Sequence, residues 1–228
     1  MFPKGLALLR DPTLNKSTAF NDAERDALGI RGLLPPHVSS QEEQVARVLE
    51  NFRRKPTALE KYIDLTALHD RNEALFFRIL VDNPDEMLPV IYTPTVGEAV
   101  QRFSLEHRKA RGLYISYTDR NNITAIFDRQ LPTDIDLSVV TDGEAVLGIG
   151  DQGIGGINIS SAKLMVYTLC GGINPHRVLP IQLDVGTNNQ HLLNDPMYLG
   201  WRHERITGQA YDDFIDEFVR IFTKKFPS

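Results

Sequence analysis

Three groups of residues in this 228-residue chain have types and spacings that chemistry can use. Gly148, Gly150 and Gly153 lie at the spacing G-x-G-x-x-G within TDGEAVLGIGDQGIGG, directly after the apolar run LSVV. Such a loop cradles the pyrophosphate of a dinucleotide when a strand precedes it, a helix opens on it and a carboxylate about 20 residues later holds the ribose. A strand at Leu137 to Val140 and a helix from about Ser160 are expected, but the stretch at the ribose position reads CGGINPHR and has no carboxylate. A glycine loop that lets backbone approach something closely is the alternative. Lys163 is expected on the first turn of that helix among the apolar Leu164, Met165 and Val166. Burial and the positive helix end would both favour a neutral amine there, suited to a general base; a lysine with a buried stem and a wet head fits the same pattern. Tyr92 ends the run MLPVIY just before Thr93-Pro94, which would set its phenol at the carboxyl end of a strand as a general acid, or leave it a core tyrosine.

Weaker candidates have simpler explanations. Ser160 and Ser161 precede Lys163 and could suggest a Ser-Lys nucleophile, but serine serves far more often as a helix N-cap. The six histidines, at positions 37, 69, 107, 176, 191 and 203, form no H-x-x-x-H or H-E-x-x-H pair, so no metal site is expected in this chain. In YDDFIDEF the apolar Phe214, Ile215, Phe218 and Val219 make the carboxylates the wet face of an amphipathic helix. The single cysteine, Cys170, excludes an internal disulfide and is expected to be an inert core thiol.

The elements that must position these residues follow from pattern. Composition is that of an ordinary folded protein, 42% hydrophobic and 24% charged, and a net charge of −5 gives no footprint for nucleic acid. No signal peptide or membrane span is expected, which suggests a cytoplasmic protein. Residues 1–85 read as a helical arm. Asn21 with Glu24 forms a capping box, a helix opens after Ser40, and a further apolar period breaks near His69 to Asn72. Residues 86–228 switch to short apolar runs. MLPVIY, GLYISYT, ITAIFD, LSVVTD, AVLGIG and LPIQLDVG read as strands; PTVGEAVQRFSLEHR, SAKLMVYTLCGG and YDDFIDEFVRIFTKKF read as helices. The alternation predicts an α/β fold, a mostly parallel sheet with helices on both faces, preceded by the helical arm.

The strings FNDAERDALGIRGLLPP, RNEALFFRIL, VIYTPTVGEA, VVTDGEAVLGIGDQGIGG, KLMVYTLCGGI, LPIQLDVGTNNQ and YDDFIDEFV together resemble the N-terminal domain of malic enzyme, over about residues 12 to 220. The resemblance implies oxidative decarboxylation of malate to pyruvate with NAD or NADP and a divalent metal, Mg²⁺ or Mn²⁺. By motif, Tyr92 in YTPTVG matches the family's catalytic tyrosine and Lys163 its catalytic lysine, while the glycine loop would border the active-site cleft. Leu147 and position 145 would adjoin the substrate. Arg47 and Arg71, in the helical arm, match a possible anion or effector site, with ordinary surface charge as the alternative. The arm also resembles the family's subunit-contact region, implying a homodimer or tetramer.

Two departures from the family pattern bear on function. The family's metal ligands and dinucleotide fold come from sequence beyond Ser228, so the 228-residue chain alone is expected to be inactive. Where the family has GER, this chain has Gly143-Glu144-Ala145, so the substrate-holding arginine is replaced by Ala145. That change and the serine at position 160 resemble malolactic enzymes, which convert malate to lactate. A catalytically inactive binding or assembly module is the third reading.

Overall fold

The structure is a computed structural model that describes residues 2–129 and 134–227. Two compact units make up the chain, Met1–Thr95 and Val96–Ser228.

The first unit is helical. Helices α1 (Gly5–Arg10), α2 (Asp22–Ala27), α3 (Gln41–Arg53), α4 (Ala58–Arg71), α5 (Glu73–Asp82) and α6 (Pro84–Ile91) follow one another. Their starts are written locally. Asn21, Ser40 and Thr57 each accept the backbone N–H three residues on, and Glu24, Glu43 and Glu60 return the bond, so two otherwise unpaired donors are satisfied at each end. Asn72 ends α4 and its side chain caps α5 by accepting from the Leu75 N–H at 3.0 Å. Phe52, Leu65, Leu68, Phe76, Ile79, Leu80 and Met87 are fully buried or nearly so.

The run MLPVIY, expected as a strand, is instead α6 followed by Tyr92 as its C-cap. Pro84 at the first helical position and Asp85 and Glu86 in the first turn favour a helix start. Met87, Val90 and Ile91 then bury at helical spacing. Tyr92 therefore does not stand at a strand end.

The second unit contains a three-stranded parallel sheet of order β1-β3-β2, with β1 at Leu113–Ser116, β2 at Leu137–Thr141 and β3 at Val178–Asp184. Helix α7 (Thr95–Gln101) leads into it, followed by α8 (Phe103–Glu106), α9 (Ile123–Phe127), α10 (Ile157–Gly171), α11 (Gln190–Asn194) and α12 (Gln209–Lys225). β3 is central and its side chains alternate. Leu179, Ile181 and Leu183 pack with Ile123 and Phe127 of α9 and Phe214, Phe218 and Ile221 of α12. Gln182 turns to the other face, where α10 lies. Helices thus cover both faces, and each large side chain buried in this way contributes about 1.5–3 kcal/mol.

Two more expected strands are corrected here. ITAIFD forms α9, because Ile123 and Phe127 are four residues apart and both reach the core. AVLGIG is a tight turn closed by a single bridge between Val146 and Gly150, since Gly148 and Gly150 have φ of +82° and +73°, which no strand accommodates. Cys170 is exposed near the end of α10 rather than in the core.

Candidate functional site

Loops at the carboxyl ends of β2 and β3 converge on one buried cation. Arg205 has a side chain only 2% exposed. Its Nε and Nη2 donate to the two oxygens of Asp151 at 3.1 and 3.2 Å, and Nη2 also donates to the Asp142 carbonyl at 3.0 Å. Nη1 lies 3.3 Å from Asp142 Oδ2, close enough for charge attraction but without hydrogen-bond geometry. Asp142 Oδ2 accepts from the Tyr211 hydroxyl at 3.0 Å. Asp151 in turn accepts from the backbone N–H of Gly153 and Asn188, and its carbonyl accepts from Asn189 Nδ2. TDG after β2, GDQG beyond it and GTNN after β3 are thereby tied to one guanidinium.

Burial and charge compete at this hub. Burial works to raise the Asp151 carboxyl, yet Arg205 and the two N–H donors hold it below the usual carboxylate range. Burial also opposes the charge on Arg205, but Asp151, Asp142 and Glu144 outweigh it and raise its pKa. Asp184 goes the other way: burial pushes its carboxyl up despite bonds from the Trp201 and Gly186 N–H groups. Burial, with Asp142 beside it, pushes the Tyr211 phenol up to about 12.

The glycine loop serves the fold first. Gly153–Gly156 is a 3₁₀ turn and α10 opens only at Ile157. The N–H groups that a phosphate cradle needs are already engaged: Gly153 with Asp151, Ile154 with the Tyr198 hydroxyl at 3.0 Å, and Gly155 with the Gln152 carbonyl. A side chain at Gly153 would collide with that hydroxyl, so close packing against Tyr198 explains this glycine. Gly148 and Gly150 face open space and supply the positive φ of the turn. Among the described residues no three His, Cys, Asp or Glu side chains converge as metal ligands.

Lys163 is the seventh residue of α10, not on its first turn, so it lies beyond the reach of the helix end. It is half-buried, and no ion pair or hydrogen bond engages its ammonium among the described residues. Ser160 and Ser161 lie inside the helix and do not cap it; the N-cap is Gly156. Ala145 is exposed, and Leu147, at the tip of the turn, is 100% exposed. In the helical unit Tyr92 is half-buried with φ −131° and ψ −145°. Arg47 and Arg71 line one cavity of about 160 Å³ together with Asn15, Gln44, Asn51 and Asn72.

A sequence model of the malic enzyme N-terminal domain matches residues 69–228. The chain belongs to the malic enzyme family. It is 49% identical over 224 residues to "NAD-dependent malic enzyme 2" of Vibrio vulnificus (strain YJ016) and 50% identical over 227 residues to "NAD-dependent malic enzyme 3" of Bacillus subtilis (strain 168). These alignments take in 98% and 99% of the chain but 40% of each relative's length. "NAD-dependent malic enzyme" of Idiomarina loihiensis is 50% identical over 223 residues, again covering 98% of the chain and 40% of the relative.

Within this malic enzyme domain, Arg205 escaped the sequence reading. Its partners lie in recognisable loops, but WRHERITG carries no local signal that one of its cations would be buried. No helix among the described residues is long and apolar enough to cross a membrane.

Proposed function

We propose that the chain is the N-terminal part of an enzyme that oxidises and decarboxylates malate to pyruvate and CO2 with NAD, using Lys163 as base and Tyr92 as acid. The observation that carries this reading is family membership, through relatives named for NAD-dependent action on malate that align along almost the whole chain. Lys163 accepts the proton of the C2 hydroxyl. Its half-buried position and unengaged ammonium suit an amine that meets a substrate hydroxyl. Tyr92 returns a proton to C3 once CO2 has left. The nicotinamide and divalent metal implied by the family would supply hydride acceptance and carbonyl polarisation. The engaged N–H groups of the glycine loop and the lack of a ligand cluster among the described residues do not fit either group, so only proton transfers are assigned to this chain.

The substrate end of the site includes the exposed Ala145 and Leu147. Ala145, in place of a cation, also favours a second reading, conversion of malate to lactate. One experiment separates them: the protein translated from the whole native reading frame is assayed with malate, NAD and Mn²⁺, with pyruvate and lactate measured separately. Pyruvate with NADH supports the first reading; lactate without net NADH supports the second. Lys163→Ala and Tyr92→Phe should each lower kcat by about 10²- to 10⁴-fold, the range for loss of a general acid or base. Unchanged kcat in both variants would remove these two residues from the mechanism. Assembly as a homodimer or tetramer through the helical unit and a cytoplasmic location belong to the same proposal.

A further inference from the structure

The face of β3 turned toward α10 carries a buried polar seam that the proposed chemistry does not use. Gln182 is fully buried, and its Nε2 donates to the Leu183 carbonyl at 3.3 Å. That bond sets the amide's orientation, because the reversed amide would oppose two oxygens. Oε1 is thus directed toward the start of α10, 3.0 Å from where a Cβ on Gly156 would stand. It accepts no hydrogen bond among the described residues. Ser160 follows Gly156 by one helical turn and Ser161 adjoins it; both are buried, and neither hydroxyl has a partner among the described residues.

Serines inside a helix commonly donate back to a carbonyl three or four residues earlier, and these two do not. Sealed polar atoms are nearly always paired in native interiors. A buried water typically makes about three hydrogen bonds to such groups, donating two and accepting one. The seam offers an acceptor in the amide oxygen and, in Ser160, a hydroxyl that can donate or accept. Both groups are uncharged oxygen atoms, which suits water better than a cation or an anion.

We propose that Gln182 Oε1 and the hydroxyl of Ser160, one helical turn beyond Gly156, bind one internal water between β3 and α10. Through it, Gln182 acts as a positioning residue for α10 and for Lys163, which stands three residues beyond Ser160 on the neighbouring flank of the helix. The positioning half rests on the proposed role of Lys163; the water half does not.

A high-resolution crystal structure of the 228-residue chain tests the water directly. The expected result is an ordered water within hydrogen-bond distance of Gln182 Oε1 and the Ser160 hydroxyl. Ser160 bonded back to a helix carbonyl, with no water at Gln182, would overturn it. Gln182→Leu should lower Tm by about 3 °C or more. The double variant Gln182→Leu/Ser160→Ala should recover at least half of that loss, because removing both polar partners leaves neither unpaired. Losses that simply add would count against a shared site. If Gln182→Leu does not fold, Gln182→Met and the crystal structure still decide. Positioning is read from the acetylation rate of Lys163 by mass spectrometry, with Lys224 as internal control. At least a twofold change at Lys163 alone in Gln182→Leu is expected. A bound water with an unchanged Lys163 rate would overturn the positioning half without touching the proposed role of Lys163 as base.

Discussion

Arg205 and Asp151 meet side by side, two guanidinium nitrogens at 3.1 and 3.2 Å from two carboxylate oxygens, although 54 residues separate them in the chain. Neither side chain is more than 16% exposed. Removing one partner of such a pair leaves a buried charge without compensation, which costs about 3–5 kcal/mol. Arg205→Met should therefore lower the unfolding free energy of the 228-residue chain by about that much in urea titrations. A loss under about 1 kcal/mol, the level of an exposed pair, would mean that Asp151 and Asp142 find other partners.

The same pair gives stability a pH dependence. The folded-state pKa of Asp151 lies below its unfolded value of about 3.9, so its contribution is complete above that pH and is lost as pH falls through the folded value. Asp151→Asn should destabilise the chain at pH 7, and the gap to the unsubstituted protein should narrow below about pH 3.9. Thermal melts at pH 7, 5 and 3 measure it. A gap that stays constant across that range would show that the carboxylate's charge is not what Arg205 needs.

Ala145 stands exposed beside the turn that carries Leu147, where the proposed function places the substrate. A charge-assisted contact contributes about 1.5–3 kcal/mol, roughly 10- to 150-fold in affinity. Ala145→Arg in the whole protein should lower the KM for malate by about tenfold or more. An unchanged KM would mean that position 145 does not touch the substrate.

The cavity lined by Arg47 and Arg71 also holds the side chains of four amides, Asn15, Gln44, Asn51 and Asn72. The side-chain N–H groups of Asn15 and Gln44 already donate to protein oxygens, so the two cations are what would attract a small dianion, and calorimetry with malate and with phosphate tests this in the 228-residue chain. Binding that weakens about tenfold or more in Arg47→Ala and in Arg71→Ala is expected from the loss of one charged contact. No binding of either anion would return both residues to ordinary surface charge.

Much of the helical unit was legible because its signals are local. The capping boxes at Asn21, Ser40 and Thr57 lie within four residues, and the break at Asn72 interrupts an apolar period that any helix must respect. β1, β2 and β3 were legible too, since GLYIS, LSVVT and LPIQLD are β-rich runs bounded by turn residues. The runs MLPVIY and ITAIFD were misread for a definite reason: a short apolar run has no period long enough to distinguish strand from helix. Pro84 and the four-residue spacing of Ile123 and Phe127 carried the contrary signal, weaker than the run itself.

By itself, the sequence determined the family, through YTPTVG, GDQGIGG and LDVGTNN, together with the helix caps and the three strands. Which donors remain free was decided only by the tertiary structure. The Ile154 N–H is engaged by a tyrosine 44 residues away, and the GTNN, GDQG and TDG loops are joined by an arginine that no local pattern marks. Caps and periods act across one or two helical turns and can be read in a line. A buried ion pair exists only once strands β2 and β3 lie side by side and bring their following loops to the same end of the sheet.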